Sequence, residues 1–98
     1  MSNVDDIWYE QFNLGNTSVS KSIQKECYQN PYFEDFIKGA FVRHSREQRY
    51  NENDRTKPII AYYNIPERCC LGDGYGRIRI ATFPKDRCSY ATFEYEEI

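Results

Sequence analysis

The sequence predicts one α+β domain, residues 1–98, with two or three N-terminal helices packed on one face of a small C-terminal antiparallel sheet. Three observations favour this class. A chain of 98 residues can form one hydrophobic core but not a second lobe. Apolar residues recur at helical spacing as far as His44, and they alternate with polar residues after Pro58. The polar segment 51–56 marks the division, and about three strands in a β-meander are expected after it.

A first helix is predicted to begin at Asn3, because Asp5 and Asp6 follow where the helix dipole favours negative charge. The Leu14-Gly15 pair is typical of a helix C-terminus, where glycine adopts the left-handed conformation at little cost. The apolar stripe of this helix consists of Val4, Ile7, Trp8 and Phe12.

A second helix is predicted to begin near Thr17 or Ser18. It ends at Asn30-Pro31, because a residue that precedes proline is disfavoured in the helical conformation. Residues four apart share a helix face, and here they are Val19, Ile23 and Cys27.

The third predicted helix starts at the same Asn30-Pro31 pair. Asn30 suits the N-cap, and proline suits the first helical position. Gly39 interrupts this helix and suggests a close contact with a second helix. The core stripe, which His44 follows, consists of Phe33, Phe36, Ile37, Ala40 and Phe41.

The second half of the chain has the pattern of strands. Residues 59–63 form the first, and a turn-rich loop follows at 64–76. Strict alternation predicts two further strands at 77–80 and 91–96, with a turn at 84–87. A slip by one residue would place isoleucine opposite glutamate and bury charge. The predicted pairs are Ile78 with Phe93, Ile80 with Ala91 and, on the outer face, Arg77 with Glu94.

Composition favours a recognition protein but leaves the role of tyrosine open. The chain has a net charge of −2 and contains nine Tyr, six Phe and one Trp. Tyrosine suits recognition surfaces, yet it can equally replace leucine in a small core. A local basic patch is expected in residues 38–57, where six basic and three acidic residues give a balance of +3.

The sequence also predicts where the protein acts. Residues 1–6 are acidic and lack the basic and apolar regions of a signal peptide, and no apolar run approaches 18 residues. We therefore expect a cytoplasmic protein that makes no contact with a membrane. Its four cysteines are expected to be thiols: Cys27, Cys69, Cys70 and Cys88.

Two features that suggest a ligand have simpler interpretations. The glycine-rich segment 72–76 precedes a strand, whereas a phosphate-binding loop precedes a helix, so it is interpreted as a tight turn. The four cysteines and His44 provide enough zinc ligands, but none of them forms a Cys-x-x-Cys pair. No metal and no cofactor are therefore predicted.

His44 is the only histidine, and it lies beside Arg43, Arg46 and Glu47 on the third helix. This group allows an alternative function, a small toxin-like ribonuclease that needs no metal. In such an enzyme His44 and Glu47 would exchange protons while arginine holds the phosphate. The simpler interpretation is a histidine at the end of an apolar stripe.

The same helix end offers a second alternative, a nucleic-acid binder that reads phosphates. Arg43, Arg46 and Arg49 recur at three-residue steps, and Tyr50 could add a stacking surface. Their position also suits the negative end of the helix dipole, which explains them without a ligand.

The leading interpretation is a non-enzymatic protein that occupies a surface of a larger protein or nucleoprotein partner. Tyrosine and arginine are enriched in interface cores, and no segment carries a catalytic signature. In size and composition the chain resembles small accessory proteins that phages encode against host machinery, which implies an inhibitor in the host cytoplasm. The predicted contact residues are Tyr75, Arg77, Arg79, Glu94, Glu96, Arg43, Arg46 and Arg49.

Overall fold

The structure, a computed structural model, describes residues 14–47, 56–71 and 76–96. Within these residues two helices pack on a four-stranded sheet, which confirms the predicted α+β class. The helix predicted to begin at Asn3 lies outside the described residues. The elements are β1 (Asn16–Val19), α1 (Lys21–Gln29), α2 (Pro31–Glu47), β2 (Ile59–Asn64), a 3₁₀ turn (Glu67–Cys69), β3 (Arg77–Phe83) and β4 (Cys88–Phe93).

The sheet is mixed, and its strand order is β1-β4-β3-β2. Strands β2, β3 and β4 form the antiparallel meander that the sequence predicts. Strand β1 lies parallel to β4, with Asn16 opposite Cys88 and Val19 opposite Ala91. The prediction of about three strands in a purely antiparallel sheet is therefore wrong in both number and direction. The sequence Asn-Thr-Ser-Val is too polar and too short to show the alternation that identified the other strands.

The second helix begins later than predicted, because Thr17 and Ser18 belong to β1. The chain stays extended through Ser20, whose φ is −64° and ψ is 161°. The Ser20 hydroxyl then accepts a hydrogen bond from the backbone N–H of Ile23 at 3.3 Å. Ser20 is thus the N-cap of α1, and its own N–H donates to the Ala91 carbonyl at 2.9 Å. One residue both ends the strand and starts the helix.

Asn30 is the N-cap of α2, as predicted. Its Oδ1 accepts hydrogen bonds from the backbone N–H groups of Tyr32 at 3.1 Å and Phe33 at 3.2 Å. Its Nδ2 donates to the carbonyl of Cys69 in the 3₁₀ turn. The corner between the two helices is therefore tied to the connection between β2 and β3.

The hydrophobic core lies between the helices and the inner face of the sheet. The ring of Phe33 on α2 stacks on Phe93 of β4 with centroids 5.7 Å apart, and both side chains are fully buried. Ile23 of α1 is buried in the same core, where α1 contacts β4. The remaining buried members are Phe36, Ile37, Ala40, Phe41, Tyr63, Cys69, Ile78, Ile80 and Ala91.

The predicted hairpin register is confirmed: Ile78 lies opposite Phe93, and Ile80 lies opposite Ala91. The turn at 84–87 is confirmed as well, because the Arg87 N–H donates to the Pro84 carbonyl at 3.3 Å. The last strand is displaced toward the N-terminus from the predicted 91–96 and runs over Cys88–Phe93. It ends at Phe93, where the backbone turns and the Glu96 N–H donates to the Phe93 carbonyl at 3.0 Å.

Two glycines provide a matched test of this fold. Gly15 has a φ of +69°, and a Cβ there would lie 2.1 Å from the backbone oxygen of Arg87. We expect Gly15→Ala to lower the free energy of unfolding by about 2 kcal/mol or more, because β1 must move away from β4. At Gly39 in α2, no described atom other than those of its chain neighbours and of its own helix backbone lies within 4 Å of the position that a Cβ would take, so the predicted close helix contact is not found there.

Gly39→Ala serves as the control for this prediction. Alanine favours a helix over glycine, so this variant is expected to gain up to about 1 kcal/mol of stability. Urea denaturation of both variants measures the two changes. Equal effects from the two substitutions would contradict the close approach of Gly15 to Arg87.

Candidate functional site

The candidate site is the sheet face that points away from the helices, here called the outer sheet face. Residues on one strand alternate between the two faces, so each neighbour of a core residue lies on the outer side. Ile60 and Tyr62 keep 42% and 44% of their surface exposed. Ala81 is only 1% exposed and is paired with the larger Ile60 and Tyr90. The outer sheet face comprises Ile60, Tyr62, Asn64, Arg77, Arg79, Ala81, Tyr90 and Thr92, with Glu94 beside it.

Arg77 is the organising residue of the outer sheet face. Its Nε donates to one carboxylate oxygen of Glu94 at 2.9 Å, and a terminal nitrogen donates to the other oxygen at 2.6 Å. The register predicted that these two residues lie opposite each other, and their two-point contact holds the pKa of the Glu94 carboxyl below its ordinary value. The Arg77 guanidinium also lies over the Tyr62 ring, 4.7 Å from its centroid. The side chains of Tyr62, Arg77 and Glu94 therefore form one ordered unit.

Arg79 and Glu96, two further predicted contact residues, are engaged within the fold. A terminal nitrogen of Arg79 donates to the backbone carbonyl of Glu96. The Glu96 carboxylate accepts hydrogen bonds from the Ser20 hydroxyl and the Phe93 backbone N–H, each at 2.8 Å. Both residues thus stabilise the end of β4 against the start of α1. Their exposed contribution to a partner surface is smaller than that of Arg77.

The end of α2 holds Arg43 and Arg46, which were predicted to contact phosphate or a partner. Arg43 pairs with Glu47 at 3.4 Å and lies 5.3 Å from the centroid of the Tyr63 ring. Arg46 is partly buried. Of the two arginines that the structure describes at this helix end, Arg43 thus has its charge offset by Glu47, which weakens its attraction for phosphate.

His44 is fully buried rather than positioned at the surface. Its Nδ1 lies 2.9 Å from the hydroxyl oxygen of Tyr63, a hydrogen bond that joins α2 to β2. Burial lowers the pKa of His44 to about 4, and a backbone hydrogen bond at Ile59 opposes the shift in part. The exposed carboxylate of Glu47 is directed to Arg43 instead. The structure therefore does not bring His44 and Glu47 together at a surface that RNA could reach.

The cysteines do not converge on a metal site. Cys69 is buried in the core, Cys70 is exposed, and Cys27 and Cys88 are half-buried. Burial raises the pKa of the thiols of Cys27 and Cys69, which favours the neutral thiol over the metal-binding thiolate. Across residues 14–47, 56–71 and 76–96, no group of three or more His, Cys, Asp or Glu residues is placed to hold a metal ion.

An open cleft of about 180 Å³ lies between α1 and the end of β4. Phe93 and Tyr95 line it on the side of β4, and their rings stack with centroids 5.4 Å apart. Pockets that hold small organic ligands usually enclose about 300–1,000 Å³. This cleft is smaller than that range, and its walls include the charged residues Lys25 and Glu26.

Two of the predicted contact residues, Arg49 and Tyr75, lie outside the described residues. Conversely, Ile60 and Tyr62 are exposed residues that the sequence pattern did not assign to the site. The run Ile-Ile-Ala-Tyr-Tyr is apolar at every position, so its alternation is hidden. The neighbouring strand β3 contained the information that was needed. Tyr63 and Ala61 pair with the core residues Ile78 and Ile80 and so face the core, which leaves Ile60 and Tyr62 on the outer sheet face.

The chain matches no family model, no curated protein and no solved structure at a significant level. Among the helices that the structure describes, none is both long and apolar enough to cross a membrane. The physical evidence on function therefore comes from the outer sheet face itself.

The burial of His44 predicts how stability depends on pH. The native state keeps the imidazole neutral down to about pH 4, whereas the unfolded chain binds a proton below about pH 6.5. The unfolded state thus binds more protons in this window, so stability falls as the pH drops from 6.5 to 4. The expected loss is about 2–3 kcal/mol, measured by urea denaturation at each pH.

His44→Gln provides the control, because His44 is the only histidine in the chain. Between pH 6.5 and 5 the variant should show a flatter stability profile than the wild type, whatever its absolute stability. Parallel profiles for the two proteins would contradict the burial of a neutral imidazole.

Two buried threonines make a second matched pair. The Thr92 hydroxyl is buried and has no hydrogen-bond partner within the described part of the chain, whereas the Thr82 hydroxyl lies 2.7 Å from that of Ser89. Thr92→Val is expected to raise the free energy of unfolding by about 1 kcal/mol, because an unsatisfied polar group is removed. Thr82→Val is expected to lower it by a similar amount. Thermal or urea denaturation distinguishes these signs, and a loss of stability in Thr92→Val would contradict the assignment.

Proposed function

We propose that the protein is a non-enzymatic binding module that occupies a surface of a larger protein through its outer sheet face and acts as an inhibitor. The observation that carries this proposal is the ordered unit of Tyr62, Arg77 and Glu94 next to exposed Ile60. Tyrosine and arginine are the residue types that most often dominate binding energy in protein interfaces.

The unit is ordered before any partner binds. Glu94 holds the Arg77 guanidinium at two points, and the guanidinium in turn covers the ring of Tyr62. Both side chains belong to strands of a packed sheet, so little rotamer freedom remains to be lost. Ordering a flexible side chain at an interface costs about 0.5–1.5 kcal/mol. A preordered tyrosine and arginine avoid most of this cost.

The charges of the outer sheet face favour a protein partner over a nucleic acid. The carboxylate of Glu94 neutralises Arg77, and the backbone carbonyl of Glu96 engages Arg79. A phosphate backbone attracts arginines that lack such acidic neighbours. A protein surface, in contrast, offers both an apolar patch for Ile60 and Tyr62 and groups of either sign for the Arg77–Glu94 pair.

Under this proposal, binding to the partner is sufficient to inhibit it, and this chain does not need to catalyse a reaction. A small domain that covers a working surface of a larger protein prevents that surface from binding its own ligand. The likeness in size and composition to accessory proteins that phages encode against host machinery supports this role. Under this proposal the partner is a host protein in the same compartment.

The proposal predicts that substitutions on the outer sheet face weaken binding to the partner, whereas a substitution at an exposed position elsewhere does not. The full chain is used as bait, the recovered protein is purified, and 1:1 binding is measured by calorimetry. Tyr62→Ala and Arg77→Ala are each expected to weaken binding about tenfold or more. A few side chains at the centre of an interface usually provide most of its binding free energy, and these substitutions remove two of them. The control is Tyr32→Ala, at a position on α2 that is 62% exposed, and it should bind like the wild type.

Other outcomes would reject the proposal. Equal affinity of the wild type, Tyr62→Ala and Arg77→Ala would exclude the outer sheet face as the contact surface. Binding that copurifies with nucleic acid and weakens steeply with salt would favour the phosphate-reading alternative instead. Circular dichroism of each variant confirms that the fold is retained.

A further inference from the structure

Among the described strands, β2 is an edge of the sheet and lacks the features that usually protect an edge. Natural edge strands carry inward-pointing charges, proline or bulges, or they are very short. The opposite edge, β1, follows this rule with four mostly polar and exposed residues. Strand β2 has six residues, Ile-Ile-Ala-Tyr-Tyr-Asn, without charge, proline or glycine. An uncharged apolar edge of this length is suited to pairing with another strand.

The register shows which backbone groups β2 offers. The Ile65 N–H donates to the Gly76 carbonyl at 3.4 Å, which extends the pairing of β2 with β3. Hydrogen bonds alternate between the two sides of an antiparallel strand, so Ala61 and Tyr63 also bond to β3. Ile60 and Tyr62 therefore direct their N–H and C=O groups to the open edge. Within the described residues, no hydrogen bond joins these groups to any other part of the chain.

We infer that β2 pairs antiparallel with β2 of a second copy of this chain, around a two-fold axis at Ala61. In this register Ile60 of each copy lies opposite Tyr62 of the other, and the two residues exchange both backbone hydrogen bonds. On the inner side Ile59 lies opposite Tyr63. Apart from Ala61, which lies opposite its own copy at the axis, each of these pairs is an aromatic residue against a β-branched one, a favourable cross-strand pair. A shift by one residue would pair outer-face with inner-face side chains.

The strand is complementary to itself, which is why a second copy is the occupant. A two-fold axis requires the same surface to fit itself, and an uncharged strand brings no like charges together. The pairing joins two four-stranded sheets into one continuous sheet. The two outer sheet faces then become a single surface with both Tyr62 side chains near its centre. This inference goes beyond the proposed function and does not depend on it.

Sedimentation velocity of the purified full chain tests the inference. The wild type should be a dimer that dissociates on dilution. Ile60→Pro removes an N–H at the open edge but no hydrogen bond to β3, so β2 should persist. The substitution deletes two of the four hydrogen bonds around the axis, and the dimer dissociation constant should rise about ten- to a hundredfold.

Thr17→Pro is the matched control on the other edge of the sheet. The N–H of Asn16 donates to the Arg87 carbonyl in the turn before β4, and that of Ser20 donates to the Ala91 carbonyl of β4, so the N–H of Thr17 points away from β4. This variant should dimerise like the wild type. Arg77→Ala should also dimerise normally even if it abolishes partner binding, which separates failure of this inference from failure of the proposed function.

Two results would overturn the inference. One is a wild type that stays monomeric up to about 1 mM. The other is an Ile60→Pro variant that is folded by circular dichroism and dimerises as tightly as the wild type. If Ile60→Pro does not fold, Tyr62→Lys decides, since it places a charge on the edge without altering the backbone. A folded Tyr62→Lys dimer of unchanged affinity would then overturn the inference.

Discussion

The parallel pairing of β1 with β4 determines how the rest of the chain is arranged. It joins the beginning of the described chain to its last strand through the hydrogen bonds of Asn16 to Arg87 and of Ser20 to Ala91. Gly15 permits this approach, because any side chain there would collide with the Arg87 carbonyl. Once β1 is fixed at this edge, Ser20 can start α1 directly over the inner face. Helix α2 then runs from Phe93 of β4 to Tyr63 of β2, which lies at the opposite edge.

His44 and Cys69 are residue types that often act in catalytic or metal sites, but here both are buried and contribute to packing. His44 lies at the end of the apolar stripe of α2, and its hydrogen bond to Tyr63 links that helix to β2. Burial keeps its imidazole neutral, whereas a general acid or base must reach its substrate. Cys69 is likewise buried, and its backbone carbonyl accepts a hydrogen bond from Asn30. The polar atoms of these residues hold the elements together.

The outer face and the β2 edge are features of the same strand. Alternation sends the Tyr62 side chain outward, and the hydrogen-bond pattern sends its backbone groups to the open edge. Tyr62 therefore belongs to two surfaces at right angles to each other. Arg77 and Glu94 order its ring on one of them, while Ala61 lies at the centre of the pairing proposed for the other. A protein that pairs through the edge would present two copies of the recognition surface side by side.

Four features could be predicted from the sequence: the α+β class, the Asn30 cap, the strand at 59–63, and the hairpin register with its Arg77–Glu94 pair. These features depend on local spacing and on contacts between neighbouring elements, which a periodic pattern records. The three-dimensional fold was needed to establish that residues 16–19 form a strand, because the partner strand β4 lies about 70 residues away and leaves no local signal. It also decided that His44 is buried and that Tyr62 faces outward. Both depend on which side of the sheet the helices cover, and a uniformly apolar run does not specify that side.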